Sequence, residues 1–177
     1  KWMKLQGLVY GKYMQQAVLM HGVVNFLINC KSRGFTVYIV SHKTEYGHFD
    51  SEKISLREEA MFWMESKRFF DEEYIGIKKG NIIFKNTREE KVKAISKLNC
   101  DYFIDDLYEV FLEKEFPTAT KKIVFGKSDD PFKDNEIQSF SNWKEITNYL
   151  LGNTLETDVA TWAEVALNSK ITSVEKV

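Results

Sequence analysis

Cysteine, proline and glycine are all scarce in this 177-residue chain, which has two Cys, two Pro and nine Gly. Cys30 and Cys100 lie far apart, with no CxxC and no Cys/His ligand spacing. Neither a zinc site nor a disulfide scaffold is therefore expected, and the cytoplasm, where thiols stay reduced, is the compartment that fits. With so little Gly and Pro and no Ser-rich stretch, no internal linker is expected before about residue 152. A charge excess of either sign is also missing: 25 Lys plus Arg face 26 Asp plus Glu, for a formal net charge of -1. That balance excludes the broad basic field of a nonspecific nucleic-acid binder, so no nucleic acid is expected as a partner. Nor is there a run of the ~18 to 20 apolar residues that a membrane helix needs. The most apolar stretch, Ala17 to Ile28, is interrupted by His21, Gly22 and Asn25. No membrane partner is expected. The chain opens on Lys1 without a signal-peptide pattern, and the expectation is that a native N-terminal segment precedes it.

What is present suffices for one core, since 44% of residues are hydrophobic and 14% aromatic. Apolar positions from Val18 to Lys31 recur at the helical period, and Arg33-Gly34 supplies a stop. Phe35 to Val40, FTVYIV, reads as a strand buried on both faces. Ser55 with Glu58 forms a capping box before a helix bearing Leu56, Ala60, Trp63, Met64 and Phe70; Asn81 to Phe84 reads as the next strand. The aromatic cluster Phe62, Trp63, Phe69 and Phe70 reads as core. A second capping box, Thr87 with Glu90, opens a helix through Val92, Ile95 and Leu98 that Asn99 closes. Tyr102 to Ile104 is a short strand, Leu107 to Glu115 looks helical, Lys122 to Phe125 reads as the last strand, and Trp143 to Leu151 is a closing helix stopped by Gly152. Alternating strands and helices at this spacing predict an α/β domain over residues 1–152, a Rossmann-like open parallel sheet with helices on both faces. Residues 153–177 change in composition: Thr157 to Leu167 reads as a short amphipathic helix and Ile171 to Val177 as strand-like. They are either a tail docked on the core, or a linker and the start of a second domain.

In such sheets the ligand sits at the carboxyl ends of the strands. That rule selects Ser41, Asn86-Thr87, Asp105-Asp106 and Gly126-Lys127-Ser128-Asp129. Two adjacent carboxylates at a strand end repel each other unless a cation or hydrogen-bond donors offset the charge, and Mg2+ is a hard cation suited to them. One of the two could equally cap the helix expected after Leu107. Lys91, in the first turn of its helix, opposes the macrodipole, a cost that a nearby anion would offset. In HKTEYGHFD, His42 to Asp50, the residues His42 and His48 could titrate near neutrality; a solvated loop explains His48 as well. His21 reads as a packing or surface residue.

Taken in order, YIVSHKT (Tyr38 to Thr44), EEKVKAI (Glu89 to Ile95) and DYFIDDL (Asp101 to Leu107) resemble the second, lysine and fourth motifs of the haloacid dehalogenase (HAD) superfamily of phosphotransfer hydrolases. GFTVYIVSHKT followed by REEAMFWM (Arg57 to Met64) and FIDDL is similar to a bacterial subgroup, some of whose members adjoin or are fused to aminoglycoside-phosphotransferase-like kinase domains. The resemblance covers roughly Val18 to Leu151. It implies a Mg2+-dependent phosphomonoester hydrolase acting on a small phosphorylated metabolite through an aspartyl phosphate. Catalytic roles fall on Ser41, Lys91 and Asp105; substrate binding falls on Ser41, His42 and Lys43, and metal binding on Asp105 and Asp106. Lys93 is the second candidate for the lysine role. A fused C-terminal phosphotransferase-like domain is an implied partner. The 63 residues between Ser41 and Asp105 leave no room for a large cap, so a small cap or none is expected, any cover coming from Lys1 to Gln16.

The superfamily's nucleophile lies in a DxD motif on a first strand, between the Ser strand and the Asp-Asp strand. Here no Asp precedes Asp50. Removing that strand leaves a gap of about two strand spacings, roughly 10 Å. Either a segment upstream of Lys1 supplies it, or Leu8-Val9-Tyr10 fills the gap in degenerate form, with Tyr10 and Lys12 near the aspartate positions. The alternative function is a catalytically inactive HAD-like binding or regulatory domain; a third is an unrelated flavodoxin-like ligand-binding domain.

Overall fold

The structure is a computed structural model that describes residues 9–47, 53–126 and 136–152. Helix α1 (Val23–Ser32) leads into β1 (Ile39–His42), α2 (Leu56–Ser66), β2 (Ile82–Lys85), α3 (Arg88–Leu98), β3 (Tyr102–Asp105), β4 (Lys121–Phe125), β5 (Ile137–Phe140) and α4 (Trp143–Leu151). The fold is mixed α/β with two small parallel sheets. β1 pairs with β2, and β3, β4 and β5 pair in that order. The strand ending at His42 and the strand ending at Asp105 are each an edge of their own sheet.

The local signals explain the helix boundaries. Ser55, Thr87 and Asn142 each accept a hydrogen bond from the backbone N–H three residues on, which belongs in every case to a Glu. These caps satisfy amide groups that a helix start leaves unpaired. Asn99 closes α3 in the left-handed conformation (φ 48°), as the sequence suggested.

Alternate strand residues divide between two cores, as a period of two requires. Ile39, Ile82, Ile104 and Ile123 pack with Phe26 and Leu27 of α1, Ala60 and Met64 of α2, and Ile146 of α4. Val40, Phe103 and Val124 pack on the other side with Val92 and Ile95 of α3 and with Val110, Phe111 and Phe116. The two sheets thus share the same pair of helical layers although no strand pairing joins them among the described residues. No helix among the described residues is long and apolar enough to cross a membrane.

Four expectations are revised. The first strand starts at Ile39 rather than Phe35, because Gly34 (φ 75°) turns the chain off α1 and the Phe35 N–H bonds back to the Cys30 carbonyl. Leu107 to Glu115 is not a helix beyond a short 3-10 turn, Tyr108–Val110; the segment bends so that Phe111 and Phe116 stack edge-on with each other and with Phe103. Phe62 is 62% exposed, because Ala60, Trp63 and Met64 occupy the inward side of α2; Phe69, also assigned to the core, is buried. β5 follows the strand read as last. In addition, Val9 and Tyr10 lie in a helical turn, not in an extended strand. His48, Lys127 to Asp129 and residues 153–177 lie outside the described residues.

Candidate functional site

The candidate residues gather near three strand ends. Ser41 is the third residue of β1, half-buried and in register with Phe84, and His42 after it is exposed. Pairing continues one residue past the strand, where the Lys43 N–H donates to the Lys85 carbonyl at 2.8 Å. The Lys43 ammonium lies 4.3 Å from the centre of the Tyr10 ring, and its partial burial pushes its pKa below the usual lysine value. Tyr10 thus touches the loop after β1; residues 1–8 of the segment expected to cover the site lie outside the described residues.

Lys91 and Asp105 meet. Val92 and Ile95 point α3 into the core, and Lys91 beside them is carried inward with only 7% of its surface exposed. Its ammonium donates to Asp105 Oδ2, and Asp105, 8% exposed, is the last residue of β3. The other carboxylate oxygen, Oδ1, accepts the Leu107 N–H at 3.0 Å, a local turn typical of Asp. The Phe103 ring completes the surroundings, its centre 5.7 Å from the ammonium. The anion expected near Lys91 is thus the Asp105 carboxylate. Asp106, by contrast, is exposed. Lys93 is also exposed and pairs with Glu89 at 2.5 Å and with Glu115 at 3.9 Å, on the surface.

Arg57 was not singled out in the sequence, although the argument applied to Lys91 holds for it as well: it is a cation in the first turn of a helix. Its guanidinium donates from Nε to the Lys43 carbonyl (3.0 Å) and from Nη2 to Asn86 Oδ1 (2.7 Å), and Nη1 lies 3.3 Å from Glu45 Oε2. The Asn86 N–H in turn donates to Glu90 Oε2 at 2.8 Å.

As metal ligands, Asp105 and Asp106 offer hard carboxylate oxygen, which suits Mg2+ in kind. In number they fall short of an octahedral shell, and no group of three or more His, Cys, Asp or Glu able to hold a metal occurs among the described residues. Comparison of the chain with family models, with curated proteins and with solved structures produced no match in any of the three.

Proposed function

We propose that this chain is the larger part of a HAD-like domain, a Rossmann-like doubly wound unit with a small cap or none, that hydrolyses a small phosphate ester with the help of Mg2+. The observation that carries this reading is the break in the sheet. Among the described residues β1, with Ser41, and β3, with Asp105, are both edge strands. Their residues nevertheless share the same two cores, as they would if one strand were absent between them. In the reading, a strand from outside the described residues enters there and brings the aspartate nucleophile. The Ser41 hydroxyl donates to an oxygen of the transferring phosphoryl group. Lys91 neutralises charge on that group while it pairs with the buried Asp105 carboxylate. Asp105 and Asp106 would hold part of the Mg2+ shell, and the ion would supply shielding of phosphoryl charge when bound. His42 and Lys43, at the mouth of the same strand end, would contact the substrate, and Asp106 is open to solvent where a further ligand could join.

A second reading, a non-catalytic phosphate-binding or regulatory domain, is favoured by one fact: the first 49 residues hold no aspartate. The deciding experiment assays the full-length protein against sugar phosphates and an aryl phosphate with Mg2+. Hydrolysis is expected, reduced by ~10^2 to 10^3 in Lys91→Ala and little changed in Lys93→Ala. Equal small losses in both variants would remove Lys91 from the reaction. No turnover in the parent, with phosphate still bound, would establish the second reading.

A further inference from the structure

We propose that Arg57 is a positioning residue: it ties the loop after β1 to the turn that opens α3, and so sets the spacing between Ser41 to Lys43 and Lys91. The inference rests on the phosphoryl-site reading above and adds to it a residue outside the three motifs. Each nitrogen of the Arg57 guanidinium faces an acceptor on a segment distant in sequence: the Lys43 carbonyl and the Glu45 carboxylate on one loop, and the Asn86 amide oxygen on the other. The side chain is 24% exposed, so most of it is held between those segments.

Both ends of this contact are anchored further. On one side, the Leu56 N–H donates to the Glu45 carbonyl and the Ser55 hydroxyl to Glu45 Oε1, both at 2.8 Å, so two hydrogen bonds tie the start of α2 to the loop after β1. On the other, Asn86 is held through its N–H by Glu90, the residue before Lys91. A continuous line of contacts therefore runs from Lys43 through Arg57, Asn86 and Glu90 to the helix turn that carries Lys91. Among the described residues, backbone pairing between the two strand ends stops at the Lys43 to Lys85 hydrogen bond, and beyond it Arg57 links them through its side chain. A planar fork with donors in fixed directions can serve three acceptors at once. A lysine ammonium, a point charge on a flexible stem, cannot reproduce that geometry.

The test uses the full chain with Arg57→Ala and Arg57→Lys, and two readouts. The first is amide hydrogen exchange at Lys43 and Asn86, with Ile123 and Ile146 as core controls. The second is affinity for inorganic phosphate by NMR titration. In Arg57→Ala the Lys43 and Asn86 amides should exchange about tenfold faster together while the controls hold, and phosphate affinity should fall about tenfold. Arg57→Lys should recover less than half of that loss, and added methylguanidinium should restore binding in Arg57→Ala. Faster exchange at both amides with unchanged phosphate affinity would make Arg57 a staple of the fold alone and overturn the proposal. So would a response at Lys43 without one at Asn86, or equal acceleration of the core controls. A parent chain that binds no phosphate, unaffected by Ser41→Ala and Lys91→Ala, would instead remove the phosphoryl site itself. Loss of binding only on mutation of Ser41 or Lys91, and not of Arg57, would remove Arg57 alone.

Discussion

Lys91 and Lys93 are two residues apart on one helix and differ in what surrounds them. Removing Lys91 leaves the Asp105 carboxylate buried with only the Leu107 N–H as an observed partner, and a buried charge stripped of its counter-ion typically costs about 3–5 kcal/mol. Lys93→Ala removes only solvent-screened surface pairs, which contribute little to stability. Urea unfolding should therefore separate the variants by several kcal/mol, and similar midpoints would mean that water reaches Asp105. Two other residues give stability a pH dependence of opposite signs. Burial raises the Cys30 thiol from 9.0 to about 11, so between those values the unfolded chain has released a proton that the folded chain keeps. Stability then falls as pH rises. Lys43 is the reverse case. Its folded pKa lies below the ordinary 10.5, so between the two the unfolded chain holds more protons and stability rises with pH. The stability difference between the parent and Cys30→Ala should shrink from pH 8 to pH 11, and the parent should gain stability relative to Lys43→Met as pH approaches 10.5. Chemical denaturation at a series of pH values reads both slopes, and parallel curves would contradict the burial of these groups.

Among the elements, helix starts were the most legible. Both capping boxes proposed from spacing, Ser55 with Glu58 and Thr87 with Glu90, form the expected side-chain to amide bond, at 3.2 and 3.1 Å. The reason is locality: a cap depends on residues three apart and on little else. Thr87→Ala and Ser55→Ala should each lower stability by about 1 kcal/mol, and their effects should add within about 0.5 kcal/mol. Thermal or urea unfolding of the single and double variants checks this, and a double variant much weaker than the sum would show that the two helix starts are coupled through Glu45 and Arg57. Strand limits were less legible. Apolar runs cannot say where a turn ends and pairing begins, and the backbone bond from Phe35 back to Cys30 decided that boundary.

For the whole molecule, the governing feature is the split between the two sheets. Backbone groups in parallel strands point alternately to either side. Lys43 bonds to β2 and Asp101 to β4, so by alternation Val40 and His42 in β1, and Tyr102 and Ile104 in β3, direct theirs away from their partner strands. If a strand enters between the sheets, these four amides should be as protected from exchange in the full-length protein as Ile123 and Val124 of β4. In a chain truncated before Val9 they should exchange faster. Equal protection in both would mean that the described residues close this edge by themselves.

The sequence by itself determined where α2, α3 and α4 start, where α3 and α4 stop, and the strand ends at which polar residues gather, because those depend on neighbours within a few residues. It also singled out Lys91 over other lysines by its unfavourable place in a helix. Only the tertiary structure decided that Lys91 rather than Lys93 reaches Asp105, since that follows from which face of α3 is turned inward by Val92 and Ile95. Packing likewise left Phe62 outside and Asp106 in solvent while it buried Asp105. Arg57 took its place in the candidate site for the same reason: its three acceptors come from residues 43, 45 and 86, and only the parallel pairing of β1 with β2 brings those loops together.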